Sequence, residues 1–206
     1  MPKQDPYSVL AKFYDTLADL VFDGSLYKAQ TFYLNNISKG SRVLVLGGGT
    51  GRWLSERIIR EGLHSIQFVD SSRAMIRRAR EYAKGLDIEM TDSSFENFST
   101  VEKFDAVVAF CFLDLFDDHV LPGIVEKMKS LTRSQTVWLI VDFEEKRWWQ
   151  RALLRVMYFF FSFTTGLRTK QLPRWRATLL NAGLHPVYQR TYGCDFICTS
   201  VWKSTQ

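Results

Sequence analysis

Short apolar runs alternate with segments of helical periodicity along most of the chain. Each run is typical of a strand buried on both faces of a parallel sheet. The predicted strands are residues 43–46, 66–69, 87–90, 104–111 and 136–141. The helices between them are expected from the glycine turn to about Gly62, from Ser71 or Ser72 to about Gly85, and over 118–131. This repeated alternation predicts a parallel sheet with helices on both faces.

Both ends of the chain depart from this alternation. Two helical segments, 8–22 and 26–37, precede the first strand and are expected to form a cap over the sheet edge or its ligand. A helix at 173–182 is followed by two alternating stretches, 186–192 and 196–202, around a short turn that contains glycine. Such a connection predicts an antiparallel hairpin. The predicted fold is therefore α/β: a Rossmann-like, doubly wound, seven-stranded sheet that is mostly parallel and has an antiparallel last strand.

A chain of 206 residues can bury one substantial core, so we expect one domain. We divide it into a helical cap (1–40), a cofactor-binding core (41–142), an aromatic lid or interfacial insertion (143–172) and a final helix with its hairpin (173–206). The net charge of +5 is compatible with a membrane surface or nucleic acid and requires neither. The three cysteines lack metal-ligand spacing, and no secretory signal or membrane-spanning segment is recognisable. We therefore expect a cytoplasmic protein without a metal site.

The glycine turn after the first strand is the strongest chemical signal. Gly47, Gly49 and Gly51 follow a G-x-G-x-G spacing, with Gly48 in addition. The dinucleotide fingerprint would need a glycine where this chain has Arg52, and the Gly-Lys-Ser/Thr of a phosphate loop is absent. Glycines here let the backbone turn sharply and approach a ligand closely. The turn therefore predicts a nucleoside-type ligand.

Two carboxylates complete the predicted pocket. Asp70 ends the second predicted strand and can accept hydrogen bonds from both hydroxyls of a ribose. Asp92 ends the third and is placed to accept from an adenine amino group. Because the carboxyl ends of parallel strands share one edge of the sheet, the two residues outline an adenosine pocket there.

These motifs resemble those of the class I S-adenosylmethionine-dependent methyltransferases. The glycine motif of that family matches VLVLGGGTG, its ribose acid matches Asp70 in FVDSS, its adenine-side acid matches Asp92 in TDSSFENF, and FDAVVAF resembles its fourth-strand motif. The resemblance covers residues 42–142 well and 173–203 in outline. It implies S-adenosylmethionine as cofactor and S-adenosylhomocysteine as product. The cofactor-binding residues that it implies are Gly47, Gly48, Gly49, Gly51, Asp70, Ser71, Asp92, Ser93, Cys111 and Tyr14.

Within this family the layout is similar to the methyltransferases of ubiquinone and menaquinone biosynthesis. By this resemblance, Tyr14 would close over the methionine end of the cofactor. One position departs from the family pattern. An acid usually stands two residues before the first glycine and helps to order that end, but here the residue is Val45. Two alternatives therefore stay open: a catalytically inactive binding protein and, with less support, a nicotinamide-dependent oxidoreductase.

Residues 143–172 indicate the kind of methyl acceptor. Arg147, Arg151 and Arg155 recur four apart on a predicted helix whose other face is broadly apolar and aromatic. Such a helix is typical of a lid over the protein's own active site or of an interfacial contact with a membrane. Either interpretation predicts a small or lipid-like apolar acceptor. The Asn/Asp-Pro-Pro-aromatic motif of enzymes that methylate nucleic-acid amines is absent, which disfavours nucleic acid.

The sequence does not assign a catalytic residue. Asp114 and His119, just past the fourth strand, are candidates for a general base if the acceptor is a hydroxyl. Each also has a structural interpretation, Asp114 as a residue that stabilises its loop and His119 as an exposed residue of a helix. The oligomeric state is not predicted.

Overall fold

The computed structural model describes residues 13–62, 64–165, 169 and 171–204, without the side chains of 163–165. Its strands form one seven-stranded sheet in the order β3-β2-β1-β4-β5-β7-β6. Neighbours among β1 to β5 are parallel, whereas β7 is antiparallel to both β5 and β6. The predicted fold class is confirmed. The strands are β1 (Arg42–Leu46), β2 (Ser65–Asp70), β3 (Asp87–Asp92), β4 (Phe104–Phe110), β5 (Thr132–Phe143), β6 (Leu184–Tyr192) and β7 (Ile197–Ser204).

The helices include an N-terminal pair and a long insertion after β5, as the sequence predicts. The start of the first predicted helix, at residues 8–12, lies outside the described residues. Ser72 caps α4 as expected, because its hydroxyl accepts a hydrogen bond from the Met75 N–H at 3.2 Å. The helices are α1 (Tyr14–Phe22), α2 (Ser25–Phe32), α3 (Arg57–Glu61), α4 (Arg73–Tyr82), α5 (Leu121–Ser130), α6 (Trp148–Thr165) and α7 (Trp175–Asn181).

The prediction of an unbroken helix from the glycine turn to Gly62 is wrong. A 3₁₀ turn at Arg52–Ser55 is followed by the short α3, and the break falls at Glu56, whose backbone is extended. The Glu56 carboxylate accepts a hydrogen bond from the Tyr27 hydroxyl on α2. The break therefore coincides with a contact to the N-terminal cap, which periodicity within one segment does not reveal.

Strand β1 shows why its apolar run is continuous. Val43 and Val45 belong to the core on one face of the sheet, and Leu44 and Leu46 belong to the core on the other. All four side chains are buried, so neither face of this run meets water. A central parallel strand with helices on both faces requires this pattern.

The glycine turn packs tightly on the strands beneath it. A Cβ atom at Gly48 would lie 2.2 Å from the ring of Phe68 and 2.9 Å from Cγ1 of Val45, and both side chains are buried. Gly47, Gly49 and Gly51 instead have positive φ angles, between 57° and 67°. Close contact thus excludes a side chain at Gly48, and backbone conformation disfavours one at its neighbours.

We expect Gly48→Ala to destabilise the fold by about 1–3 kcal/mol, because the new methyl group overlaps a buried ring that has no room to move. For a chain of this size, about 1 kcal/mol lowers Tm by about 2–4 °C. Thermal unfolding followed by circular dichroism measures the change.

The matched control is Gly123→Ala, at an exposed position in α5 where a Cβ atom meets nothing within 4 Å. That substitution should leave Tm unchanged or raise it, because alanine favours the helix over glycine. Equal Tm values for the two variants would contradict the packing that we describe at Gly48.

Candidate active site

A cavity of about 580 Å³ opens beside the carboxyl ends of β1, β2 and β4. It is lined by the glycine turn, by the N-terminal helices α1 and α2, by the loops after β3 and β4, and by α6. Its volume suits a small-molecule ligand, and its place at the sheet edge is where open α/β sheets bind ligands.

Asp70 fastens the glycine turn to the end of β2. Its Oδ2 accepts a hydrogen bond from the Gly49 N–H at 3.0 Å, and its Oδ1 accepts one from the Ser72 N–H at 2.8 Å. The Gly47 N–H donates to the carbonyl oxygen of Val69 at 2.9 Å. The largely buried carboxylate therefore fixes the turn and also lines the cavity.

The structure brings most of the predicted cofactor residues together. Asp92 is the exception: it lies opposite Asp70 in the strand register, but its side chain pairs with Arg73 and does not line the cavity. Tyr14 packs against Ala74 and Met75 at the start of α4. The predicted residues that line the cavity are Tyr14, Gly47, Gly48, Gly49, Gly51, Asp70, Ser71, Ser93 and Cys111.

Two acids on α1 hold the cap to the glycine turn. The Thr50 hydroxyl donates to Oδ1 of Asp15 at 2.6 Å, and Arg52 pairs with Asp19 at 2.7 Å. The Arg52 guanidinium also lies 4.3 Å from the centre of the Tyr27 ring on α2. The sequence analysis did not assign these contacts. The four-residue spacing of Asp15 and Asp19, which places both on one face of a helix, is a signal that could have found them.

Val45 does not reach the cavity. Its side chain is fully buried in the core below Gly48 and is absent from the cavity lining. The position where related enzymes carry an acid is therefore part of the hydrophobic core in this chain.

A second buried acid lies beside Asp114. Asp142, at the end of β5, has no solvent exposure. Its Oδ2 accepts hydrogen bonds from the N–H groups of Leu113 and Asp114 at 3.2 and 3.3 Å, and its Oδ1 accepts from the Phe143 N–H at 2.9 Å. The pair thus joins the loop after β4 to the end of β5.

Burial governs the protonation of this acid pair. It raises the pKa of Asp114 to about 7, and it raises the pKa of Asp142 well above the usual range, with a further contribution from the charge of Asp114. The same two carboxylates, together with burial, raise the pKa values of the Cys111 thiol and of the Tyr158 hydroxyl on α6. Burial therefore makes both carboxyl groups harder to ionise than an ordinary aspartate.

Of the two predicted base candidates, only Asp114 lies in the cavity. His119 is exposed in the turn before α5 and does not line it. The sequence analysis missed Asp142 and Tyr158. The signal for Asp142 was a lone acid at the end of the apolar strand VWLIVD, whereas Tyr158 was indistinguishable from the aromatic residues around it on α6.

The electrostatic character of the cavity is opposite to that of the whole chain. The chain has a net charge of +5, yet five carboxyl side chains line the cavity and Arg52 is the basic residue among the described residues that line it. Such a balance favours a cationic ligand over an anionic one. The five acids are Asp15, Asp19, Asp70, Glu96 and Asp114.

The far side of the cavity is apolar. We call this region, formed by α6 and the loop after β4, the apolar end. Helix α6 is anchored at its start by Gln150, whose Oε1 accepts from the N–H groups of Lys146 and Arg147 and whose Nε2 donates to the Cys194 carbonyl. The apolar side chains that line this end are those of Leu115, Phe116, Leu153, Val156, Met157, Phe160 and Phe161.

Two kinds of site are not found within the described part of the chain. No group of three or more His, Cys, Asp or Glu side chains there is arranged to hold a metal ion. No described helix combines the length and the apolar character that crossing a membrane requires.

Residues 43–135 match the family model described as a methyltransferase domain. No curated protein is found to match the chain in sequence. Among solved structures, the Burkholderia thailandensis 1,6-didemethyltoxoflavin-N1-methyltransferase, with 1,6-didemethyltoxoflavin and S-adenosylhomocysteine bound, has a TM-score of 0.68 at 13% identity. The match covers 98% of this chain and 87% of that one.

Two further structures extend this likeness. A chain of the complex between the Haloferax volcanii Trm112 methyltransferase activator and a methyltransferase has a TM-score of 0.73 at 15% identity, over 98% of this chain and 99% of that one. The DhpI-SAM-HEP complex gives a TM-score of 0.69 at 20% identity, over 96% and 94%. Residues 43–135 are therefore similar to a methyltransferase domain, and the chain shares the fold of these methyltransferase structures.

Proposed function

We propose that the protein transfers a methyl group from S-adenosylmethionine to a small or lipid-like apolar acceptor. The observation that carries this proposal is the charge balance of the cavity, where five carboxyl groups accompany one arginine. S-Adenosylmethionine bears a sulfonium and an ammonium against one carboxylate, so it suits an acidic cavity. The pyrophosphate of a nicotinamide dinucleotide is anionic and does not, which makes the oxidoreductase alternative the weaker one.

The residues of the cavity fit such a donor. Asp70 is placed to accept from the ribose hydroxyls, and the backbone of the glycine turn leaves room for close approach, since a Cβ at Gly49 would meet nothing within 4 Å. Asp15 and Asp114 are the acids that we assign to the cationic end, in place of the acid missing at Val45. Because these two acids would replace the negative charge that is missing at Val45, we favour an active enzyme over an inactive binding protein.

The donor, when bound, supplies a methyl group for in-line displacement from sulfur. Alignment of the two reactants can then provide several kcal/mol of the rate enhancement, about 7–11 at best. Positive charge leaves the sulfur as the methyl group moves, so a cavity that excludes water assists the reaction. The apolar end supplies that environment and binds the acceptor. The likeness to ubiquinone- and menaquinone-biosynthesis enzymes stays a prediction.

We expect Asp70→Asn to weaken the binding of S-adenosylmethionine by about 100-fold, because hydrogen bonds from the ribose to a carboxylate contribute about 1.5–3 kcal/mol each. Isothermal titration calorimetry with S-adenosylmethionine and S-adenosylhomocysteine measures the affinities, and thermal unfolding checks that the variant is folded. Asp87→Asn, at the exposed opposite end of the neighbouring strand β3, is the control and should bind like the wild type. Wild-type affinity in Asp70→Asn would refute the assignment, and no binding by the wild type at millimolar ligand would refute the donor.

The role predicted for Asp92 is tested in the same way. If Asp92 accepts from the adenine amino group, it must turn from Arg73 when the ligand binds, and Asp92→Asn should weaken binding by about tenfold. Arg73→Gln, which frees the carboxylate, should then keep or improve the affinity. Unchanged affinity in Asp92→Asn would show that the pairing with Arg73 is the whole role of this acid.

A second candidate role is contact with a lipid surface that presents the acceptor. Trp148 and Phe159 on α6 are 80% and 76% exposed, and Leu20 on α1 is exposed as well. Both helices also line the cavity. Arg151 on α6 pairs with Glu145 at 2.5 Å, which argues against a contact driven by the charge of Arg151. Helix α6 is thus a wall of the cavity that exposes aromatic anchors on its outer side.

For this role we expect the protein to float with neutral as well as anionic liposomes, and Trp148→Ser combined with Phe159→Ser to abolish flotation. Arg151→Gln should have little effect. Val101→Ser is the control, since Val101 is 96% exposed and lies just before the start of β4, whereas the cavity lies beside the end of β4. If the wild type does not float, contact with a lipid surface is rejected and α6 is only a lid over the cavity.

A further inference from the structure

Two buried polar groups at the apolar end of the cavity lack partners among the described residues. They are Oδ1 of Asp114 and the hydroxyl of Tyr158. Both side chains line the cavity, and each is only 5% exposed. A buried polar group without a hydrogen bond costs about 1–3 kcal/mol, and such groups are rare in folded proteins. Nε1 of Trp53, elsewhere in the lining, is a third such group. The two at the apolar end mark a place where the polar group of a ligand binds.

The surroundings fix what each of the two groups can do. Asp142 is held by three backbone N–H donors, so Asp114 is the member of the pair that has an oxygen available. Burial and the charges of Asp114, Asp142, Cys111 and Glu145 raise the pKa of Tyr158, so its hydroxyl keeps its proton. The cavity thus offers one hydrogen-bond acceptor and one donor, and the charge of Asp114 acts on the Tyr158 hydroxyl.

We propose that Asp114 is the general base of the methyl transfer, that Asp142 positions it, and that the acceptor reacts through an ionisable hydroxyl of the phenol or enol class. This inference rests on the proposed function. A hydroxyl donates one hydrogen bond and accepts others, so it fits Asp114 Oδ1 and the Tyr158 hydroxyl at the same time. A carboxylate acceptor has no proton to donate and is repelled by the acid pair, and an ammonium group has no lone pair for Tyr158.

The proposed step balances in atoms and charge. The hydroxyl proton of the acceptor moves to Oδ1 of Asp114, and the acceptor oxygen forms a bond to the methyl carbon. The carbon–sulfur bond breaks with its electron pair on sulfur, which leaves a neutral thioether. A carboxylate and a sulfonium thereby become two neutral groups, which an apolar cavity favours. The Tyr158 hydroxyl stabilises the negative charge that develops on the acceptor oxygen.

Three naphthalenes of similar shape test the acceptor class: 2-naphthol, 2-(aminomethyl)naphthalene, whose amine is an ammonium at neutral pH, and 2-naphthoic acid. The readout is S-adenosylhomocysteine formation. We expect turnover of 2-naphthol only. Its kcat/KM should rise with pH through a midpoint near 7 and then level off, because the base acts in its deprotonated form. Asp114→Asn should lower kcat by about 10²–10⁴-fold.

A second measurement does not depend on turnover. Infrared difference spectra should show a buried carboxylic acid that titrates near pH 7 in the wild type and is lost in Asp114→Asn. Asp142 Oδ2 accepts from the Leu113 and Asp114 N–H groups, so Asp142→Asn should disturb the placement of Asp114, keep this band and its midpoint, and lower kcat by up to about 10²-fold with KM unchanged. A merely structural role for Asp142 would change stability without lowering kcat. Thermal unfolding of both variants establishes that they are folded.

The outcomes separate this inference from the proposed function. Full activity of Asp114→Asn, or no infrared band that depends on Asp114, overturns the base. Absence of 2-naphthol turnover by protein that binds S-adenosylmethionine, or comparable turnover of the acid or the amine, overturns the acceptor class. Failure of the wild type to bind S-adenosylmethionine overturns the proposed function itself.

Discussion

The hydrogen bond from the Gly49 N–H to the Asp70 carboxylate is the constraint on which the arrangement of this site depends. It holds the glycine turn against the end of β2, and the second oxygen of Asp70 accepts from Ser72, the residue that caps α4. One buried carboxylate therefore joins a turn, a strand and a helix. If Asp70 also binds the ribose, as we propose, the group that shapes the cavity is the group that recognises its ligand, and the site is organised before the ligand arrives.

Charge is distributed unevenly in this protein. Basic residues dominate the chain as a whole, whereas acids are concentrated in the cavity. Some of these acids are neutralised by the scaffold: Asp19 pairs with Arg52, and Asp15 accepts from Thr50. Asp114 forms no ion pair among the described residues, and its neighbour Asp142 is another acid. At its apolar end the cavity consequently holds carboxyl groups that no described basic side chain neutralises, and desolvation makes their ionisation most sensitive to a cationic ligand.

The sequence predicts features that are local or periodic. Continuous apolar runs indicated strands buried on both faces, and the glycine spacing indicated the turn that lines the cavity. Features that depend on contacts between distant segments were missed. The break at Glu56 accompanies a hydrogen bond from Tyr27, and the pairing of Asp92 with Arg73 joins the end of β3 to the start of α4. The partnership of Asp114 and Asp142 joins residues 28 positions apart, and no pattern within one segment reports it.

Val45 connects the packing of the turn to its electrostatics. The side chain fills the space below Gly48, beside the ring of Phe68, and a carboxylate at that position would be buried in an apolar core. Burial of an unpaired charge there would cost several kcal/mol. The valine therefore secures the turn through hydrophobic contact, and the negative charge that related enzymes place beneath their glycines has to come from elsewhere. We propose that in this chain it comes from above the sheet, through Asp15 on the cap, and from the far end of the cavity, through Asp114. That acid would then lie closer to the apolar end, where the acceptor is proposed to bind, and would serve the acceptor as well as the donor.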